Sequence, residues 1–167
     1  EIRSTIESLG YPQNPVVLKS EHGTGAAGLI ILKQSPHLYE QLVSDRRYLS
    51  LEALERIAKE SVGGLDMVAL EWLPGEEYSI DVLCEKGKTL AIVVKKRYKS
   101  FKGMSVVAEV VKDHHIEELC RRVVKALGLS YVANIQLKRS VEGDYKVIDV
   151  NPRIPGTIGL SLAAGVN

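Results

Sequence analysis

Apolar and polar residues alternate along this 167-residue chain in two rhythms, and the change from one to the other maps its elements. Ile2 to Leu9 recurs at helical spacing and is closed by Gly10; "PVVLK" then runs as a strand into a glycine-rich stretch, and "LIILK" runs out of it. Ser35 and Pro36 are the residue types of a helix N-cap and first helical position, with Leu38, Leu42 and Val43 as the apolar face. Ser50 opens another helix carrying Leu51, Leu54, Ile57 and Ala58. From "MVALEWL" onward the period drops to two. Pro74 and Gly75 mark a turn, and Tyr78, Ile80 and Val82 alternate with Ser79 and Asp81. "TLAIVVKK" and "MSVVAEVV" read as two more strands. Asp113 caps a helix whose stripe is Ile116, Leu119, Cys120, Val123, Val124 and Leu127, ending at Gly128. "VANIQLKR" and "DYKVIDVN" form a hairpin around Glu142 and Gly143. Helices and strands mix without strict alternation, and hairpins impose antiparallel pairing, so the predicted class is α+β with a mostly antiparallel sheet.

Composition changes this picture mainly by exclusion. Apolar residues at 45% and charged residues at 26% are ordinary globular values, and the length suits one domain or two small lobes. Lys and Arg total 22 against 21 Asp and Glu, a net charge of +1, and are interspersed, which gives no case for nucleic acid. Lys95, Lys96 and Arg97, followed by Lys99 and Lys102, form the one basic cluster; it reads as a solvated strand end, with phosphate contact as the alternative. Cys84 and Cys120 lack CxxC spacing and a partner His cluster, which points to a reduced, cytoplasmic compartment, with Cys120 in the core. His22, His114 and His115 read as surface residues. No apolar stretch reaches the roughly 20 residues of a membrane span and no signal-peptide pattern opens the chain, so a soluble protein is expected. The chain starts at Glu1 without Met and stops at "SLAAGVN", as a piece of a longer protein would. The oligomeric state is left open, a homodimer included.

Gly23-Thr24-Gly25-Ala26-Ala27-Gly28 matches the GxGxxG pattern. A dinucleotide fingerprint needs a helix after the glycines, whereas Leu29 to Leu32 is a strand-like run. Walker A fails because Leu29 and Ile30 stand where Lys and Ser or Thr are required. A protein kinase needs its Lys after the loop together with HRD and DFG; here Lys19 precedes the loop and both tripeptides are missing. Two readings remain: a flap whose backbone N–H groups close over phosphates, or a glycine-rich hairpin without chemical consequence.

The closing hairpin carries the second constellation. Period two places Asn134, Gln136 and Lys138 on one face, with Ile135 and Leu137 on the other, and Asp149, Asn151 and Arg153 share a parity opposite to Ile148 and Val150. A two-residue turn at Glu142 and Gly143 sets Gln136 across from Asp149 and Asn134 across from Asn151. Hard oxygen donors gathered in this way suit Mg²⁺ shared with nucleotide phosphates, within reach of Arg153; the plain alternative is the polar outer face of a hairpin.

Together these segments resemble the ATP-grasp superfamily, in the branch similar to the large chain of carbamoyl-phosphate synthase, over Val16 to Asn167. "PVVLKSEHGTGAAGL" is similar to its lid hairpin, "LEWLPGEEYSIDVL" to its adenine hinge and ribose strand, and "NIQLKR...YKVIDVNPR" to its metal-binding hairpin. The resemblance implies an ATP-grasp type fold: a glycine-loop lid subdomain over residues 1–70 and a C-terminal lobe, a mostly antiparallel sheet with helices, over residues 71–167. It assigns Lys19 to the α- and β-phosphates, and Gly23, Thr24, Gly25 and Gly28 to the covering loop. Glu71, Trp72 and Leu73 fall to the adenine slot and Glu77 to the ribose. Gln136, Asp149 and Asn151 fall to the metal, Mg²⁺ or alternatively Mn²⁺, and Arg153 to the transferring phosphoryl group. Lys102 to Ser105 fall in a loop near the phosphates. The implied chemistry is ATP-dependent activation of a carboxylate to an acyl phosphate, followed by attack of an amine or similar nucleophile. The alternative is a non-catalytic nucleotide-binding or regulatory module of the same fold. In two respects the chain departs from the family: Asp149 stands where Glu is usual, one methylene too short to bridge two metals readily, and the N-terminal lobe is missing.

Overall fold

The computed structural model describes residues 2–22, 28–36, 38–43, 46–101 and 104–166. The chain divides after Trp72 into two units, each with its own apolar core. In the first, α1 (Ile2–Ser8) leads into β1 (Val16–Ser20) and β2 (Ile30–Leu32), followed by α2 (Leu38–Val43), β3 (Arg47–Leu49), α3 (Leu51–Glu60) and β4 (Met67–Glu71). Its sheet runs β3-β2-β1-β4, antiparallel except for the parallel β2–β3 pair. Val16 and Leu18 point inward with Leu32, Ile6, Leu51 and Leu54, the arrangement that period two on β1 and helical spacing on α3 require. Ser50 caps α3, its hydroxyl accepting from the Ala53 amide. The predicted apolar face of α2 is not buried: Leu38 is 73% and Leu42 75% exposed.

The second unit holds β5 (Glu77–Glu85), β6 (Lys88–Phe101), β7 (Met104–Val111), α4 (His114–Leu127), β8 (Tyr131–Arg139), β9 (Tyr145–Asn151) and α5 (Ile158–Ala163). Its five strands form an antiparallel sheet in the order β7-β6-β5-β8-β9. One face packs Tyr78, Ile80, Val82, Val94, Ile135 and Leu137 against Ile116, Cys120 and Val124 of α4. Both ends of α4 are closed as its sequence demands. Asp113 Oδ1 accepts from the amides of His115 and Ile116 at 3.0 and 3.1 Å, and Gly128 adopts the left-handed conformation at φ 60°. Among the described residues no helix is long and apolar enough to cross a membrane.

Register in this sheet shifts on the β5–β6, β6–β7 and β8–β9 pairs, and the bulges on the first and last of these set the pairing of the polar face. Lys86 and Gly87 make a tight turn with φ of 46° and 80°, the positive values a type I′ hairpin uses. A regular ladder from that turn would set Ser79 opposite Val94 and aim Lys95 into the core. Cys84 pairs with Thr89 as that ladder requires, but Leu83 pairs with Ala91, so the extra residue, Leu90, shifts the pairing by one and sets Ser79 opposite Lys95. The second bulge corrects the predicted two-residue turn. The loop between β8 and β9 is longer, closed by Ser140 N–H donating to Asp144 O at 2.8 Å, and it pairs Leu137 with Val147. Ile148 is then the extra residue, and beyond it Gln136 pairs with Asp149 and Asn134 with Asn151, the expected partners. Core packing explains the slip, because Tyr145 and Val150 both lie against the core cluster yet differ in parity.

Candidate functional site

The face of the second sheet opposite α4 is polar, and its cross-strand pairing arranges it in three rows. Asn151, Asn134 and Asp81 lie side by side on β9, β8 and β5. Asp149, Gln136, Ser79 and Lys95 form the next row, from β9 through to β6. Lys138, Glu77 and Arg97 form the third. Short-range alternation thus converts four strands of sequence into a field of facing carboxylates, amides and cations.

Half of these ten residues are buried. Lys95 is fully buried and Arg97 is 8% exposed, which corrects the reading of the Lys95–Arg97 run as a solvated strand end; only Lys96, of opposite parity, reaches water, pairing with Glu76. Lys95 Nζ donates to Asp81 Oδ2 and to Thr157 Oγ1, the latter at 2.8 Å. Ser161 Oγ donates to the same Asp81 oxygen at 2.6 Å, so α5 is pinned to the polar face through the buried pair. Burial pushes the Lys95 ammonium below the ordinary lysine range, opposed by the adjacent Asp81 carboxylate. Asn134 Nδ2 donates to Asp81 Oδ1 and Ser79 Oγ, both at 2.9 Å, and its Oδ1 accepts from Gln136 Nε2 at 3.3 Å. Arg97 Nη1 donates to Glu77 Oε1.

Of the residues marked in the sequence, Gln136, Asp149 and Asn151 fall together, half-buried, on adjacent strands, with Asn151 Nδ2 donating to Asp149 Oδ2 at 2.8 Å. Among the described residues no group of three His, Cys, Asp or Glu side chains is placed to hold a metal. Asp149, Gln136 and Asn151 together offer one carboxylate and two amides, with remaining positions left to water or ligand oxygens; that donor set fits Mg²⁺ and does not make an all-protein cage. Glu77 is half-buried at the start of β5. Arg153 lies past the end of β9, exposed, its Nη1 donating to Ile154 O at 3.2 Å. In the first unit, Lys19 is half-buried on β1 opposite Val68, and Gly28 adopts φ +81° with an added Cβ meeting Ser20 Cβ at 3.4 Å. Gly23, Thr24 and Gly25 lie outside the described residues, as do Lys102 and Gly103. Of the expected hinge residues, exposed Glu71 and half-buried Trp72 belong to the first unit and buried Leu73 to the second. Asp81, Thr157 and Ser161 went unmarked as site residues, and Lys95 and Arg97 were marked only as part of a basic cluster with phosphate contact as the alternative. The one signal in the sequence was two cations at the same parity, Lys95 and Arg97, at the end of an apolar strand.

A helix-and-hairpin unit followed by a five-stranded antiparallel sheet of this kind is also found in a solved ATP-grasp ligase, PsnB, which superposes with a TM-score of 0.55 at 16% identity over 99% of this chain and 46% of that one. The biotin carboxylase of Campylobacter jejuni, solved as a β,γ-ATP complex, superposes with a TM-score of 0.65 over 94% of this chain and 34% of that one, at 15% identity. Residues 65–167, more than half the chain, match the family described as ATP-grasp in the biosynthetic pathway with Ter operon, and the chain belongs to that family. Human carnosine synthase 1 is 28% identical over 154 residues, 85% of this chain and 18% of that protein. The carbamoyl phosphate synthase large chain of Methanosarcina barkeri is 23% identical over 164 residues, 98% of this chain and 15% of that protein. The chain thus spans less than a fifth of the length of either curated relative.

Proposed function

We propose that the chain is the ATP- and Mg²⁺-binding part of a carboxylate-activating ligase, carbamoyl-phosphate-synthase-like in subtype. The observation that carries this reading is the pairing of Gln136 with Asp149 and of Asn134 with Asn151, which lines up the hard oxygen donors of the closing hairpin on one sheet face within a family-matched segment. Relatives that join or carboxylate substrates, such as carnosine synthase and biotin carboxylase, support the ligase class.

In this reading Lys19 and the Gly23–Gly28 loop, with Thr24 and Gly25, hold phosphates. Glu71, Trp72 and Leu73 contact the adenine, and Glu77 accepts from the ribose hydroxyls through Oε2 while Arg97 engages Oε1. Gln136, Asp149 and Asn151 hold the metal, which when bound neutralises phosphate charge. Arg153, exposed past the end of β9, exchanges its contact with Ile154 O for the γ-phosphoryl group, to which it offers its guanidinium. A substrate carboxylate oxygen attacks the γ-phosphorus as the bond to ADP breaks, and an amine or similar nucleophile then attacks the acyl carbon and expels phosphate. Such a transfer depends on positioning and charge neutralisation more than on a covalent nucleophile of the protein.

The test is an ADP-release assay on the complete protein with a panel of carboxylic acids and hydroxylamine as trap. Acid-dependent ADP release with hydroxamate formation is expected. Tight ATP binding without ADP release for any acid would favour a non-catalytic nucleotide-binding module.

A further inference from the structure

We infer that the buried Asp81–Lys95 pair is a positioning device for Gln136, acting through Asn134; the inference rests on the reading of Gln136 as a metal ligand. Four observations on the polar sheet face lead to it. Lys95 and Asp81 have side-chain exposures of 0% and 5%, and removing two charges from water this completely is costly unless they are well paired. Asp81 is held as an acceptor at both oxygens: Lys95 and Ser161 donate to Oδ2, and Asn134 donates to Oδ1. A carboxylate so engaged accepts only, and Ile80 O, 3.3 Å from Asn134 Nδ2, is likewise an acceptor. The Asn134 amide therefore has one permitted orientation, nitrogen toward Asp81 and oxygen toward Gln136.

The constraint propagates one residue further. Asn134 Oδ1 accepts, so Gln136 must present Nε2 to it, as it does at 3.3 Å, and the other fork of the Gln136 amide is the oxygen. A glutamine ligates a hard cation only through that oxygen. An amide free to flip would offer the NH₂ half of the time, at equal energies. Asp81 thus decides which atom of Gln136 is available, without touching the metal, and Lys95 is the charge partner that Asp81 has in its buried position. Pinning α5 is a separate consequence of the same pair, carried by Thr157 and Ser161. The two roles are separable, because Asn134 contacts Asp81 through Oδ1 whereas α5 contacts it through Oδ2.

The experiment is a calorimetric titration of ATP into the chain at a series of Mg²⁺ concentrations and in EDTA. It is run on the parent and on three variants: Asp81→Leu/Lys95→Met, Asn134→Ala and Thr157→Ala/Ser161→Ala. The first variant also loses the contacts of the pair to Thr157 and Ser161, so it is expected to melt earlier than the parent, as Thr157→Ala/Ser161→Ala does, and the Mg²⁺ requirement is what separates the two. The first variant and Asn134→Ala are expected to need about tenfold more Mg²⁺ for half-maximal ATP binding, the usual cost of losing a residue that orients a ligand, with binding in EDTA unchanged. Thr157→Ala/Ser161→Ala is expected to melt earlier with the Mg²⁺ requirement of the parent. Without any ligand, the Gln136 side-chain NH₂ is expected to exchange faster with solvent in the first two variants than in the parent. A parental Mg²⁺ requirement in both Asn134→Ala and the double charge variant would overturn the inference and leave the function standing. Should the double variant not fold, Asn134→Ala decides alone. If ATP binding to the parent chain itself ignored Mg²⁺, the metal reading would fall and take the inference with it.

Discussion

Asp113 divides its work between its two oxygens: Oδ1 caps α4 while Oδ2 accepts from the Tyr145 hydroxyl at 2.8 Å. Burial disfavours its charge, yet the hydrogen bonds from Tyr145 and from the Ile116 and His115 amides outweigh that and hold the carboxyl below the usual aspartate range. A carboxyl with a lower pKa folded than unfolded contributes stability that is complete above the unfolded value of about 3.9 and fades as pH falls through the folded value. Asp113→Ala is expected to cost about 1 kcal/mol at pH 7, with the gap to the parent narrowing in urea melts near pH 3. A gap of equal size at both pH values would show that the ionised carboxylate does not carry the cap. This cap was readable from sequence because it needs only neighbours in the chain. Lys95 was not: its burial depends on Asp81, Thr157 and Ser161, none of which adjoins it in sequence, and a basic run carries no local mark of being covered.

Between residues and the sheet stand the turns and bulges, and here the sequence is legible in part. Strand identity follows from period two, so β5, β8 and β9 fall where alternation places them, whereas β3, three residues long and paired in parallel, is too short to show a period. The pairing of Gln136 with Asp149 follows from a two-residue turn in the sequence and from a longer loop plus the Ile148 bulge in the structure; the two shifts cancel. Bulges are invisible to counting because they are set by which side chains the core admits, here both Tyr145 and Val150. Gly75 tests the same level. Its amide donates to Arg139 O at 3.0 Å, and a Cβ there would lie 2.6 Å from both Arg139 Cβ and Arg139 O, so backbone must move to admit it. Gly75→Ala is expected to cost about 1–3 kcal/mol in denaturant unfolding. Gly156→Ala, where an added Cβ meets nothing within 4 Å at an ordinary φ, should be close to neutral, and equal effects at the two positions would contradict the close-approach account.

At the scale of the whole chain, the two cores draw on separate residue sets, Ile6 to Leu54 in the first unit and Tyr78 to Leu137 in the second. Residues 73–167 expressed alone are therefore expected to unfold cooperatively, with far-ultraviolet dichroism of a mixed helix and sheet; a featureless melt would show that the second core is insufficient by itself. The candidate site was legible where it is built from chain-local motifs, the donors of the closing hairpin above all, and illegible where it is built from burial. The central claim is that those donors bind the metal that accompanies ATP, and the most direct measurement is calorimetry of ATP binding with and without Mg²⁺ on the parent and on Asp149→Asn. Mg²⁺-dependent binding in the parent that weakens at least tenfold in the variant, with residual binding in EDTA equal for the two, is the predicted result. Equal Mg²⁺-dependent affinity in both proteins would place the metal elsewhere and contradict the account.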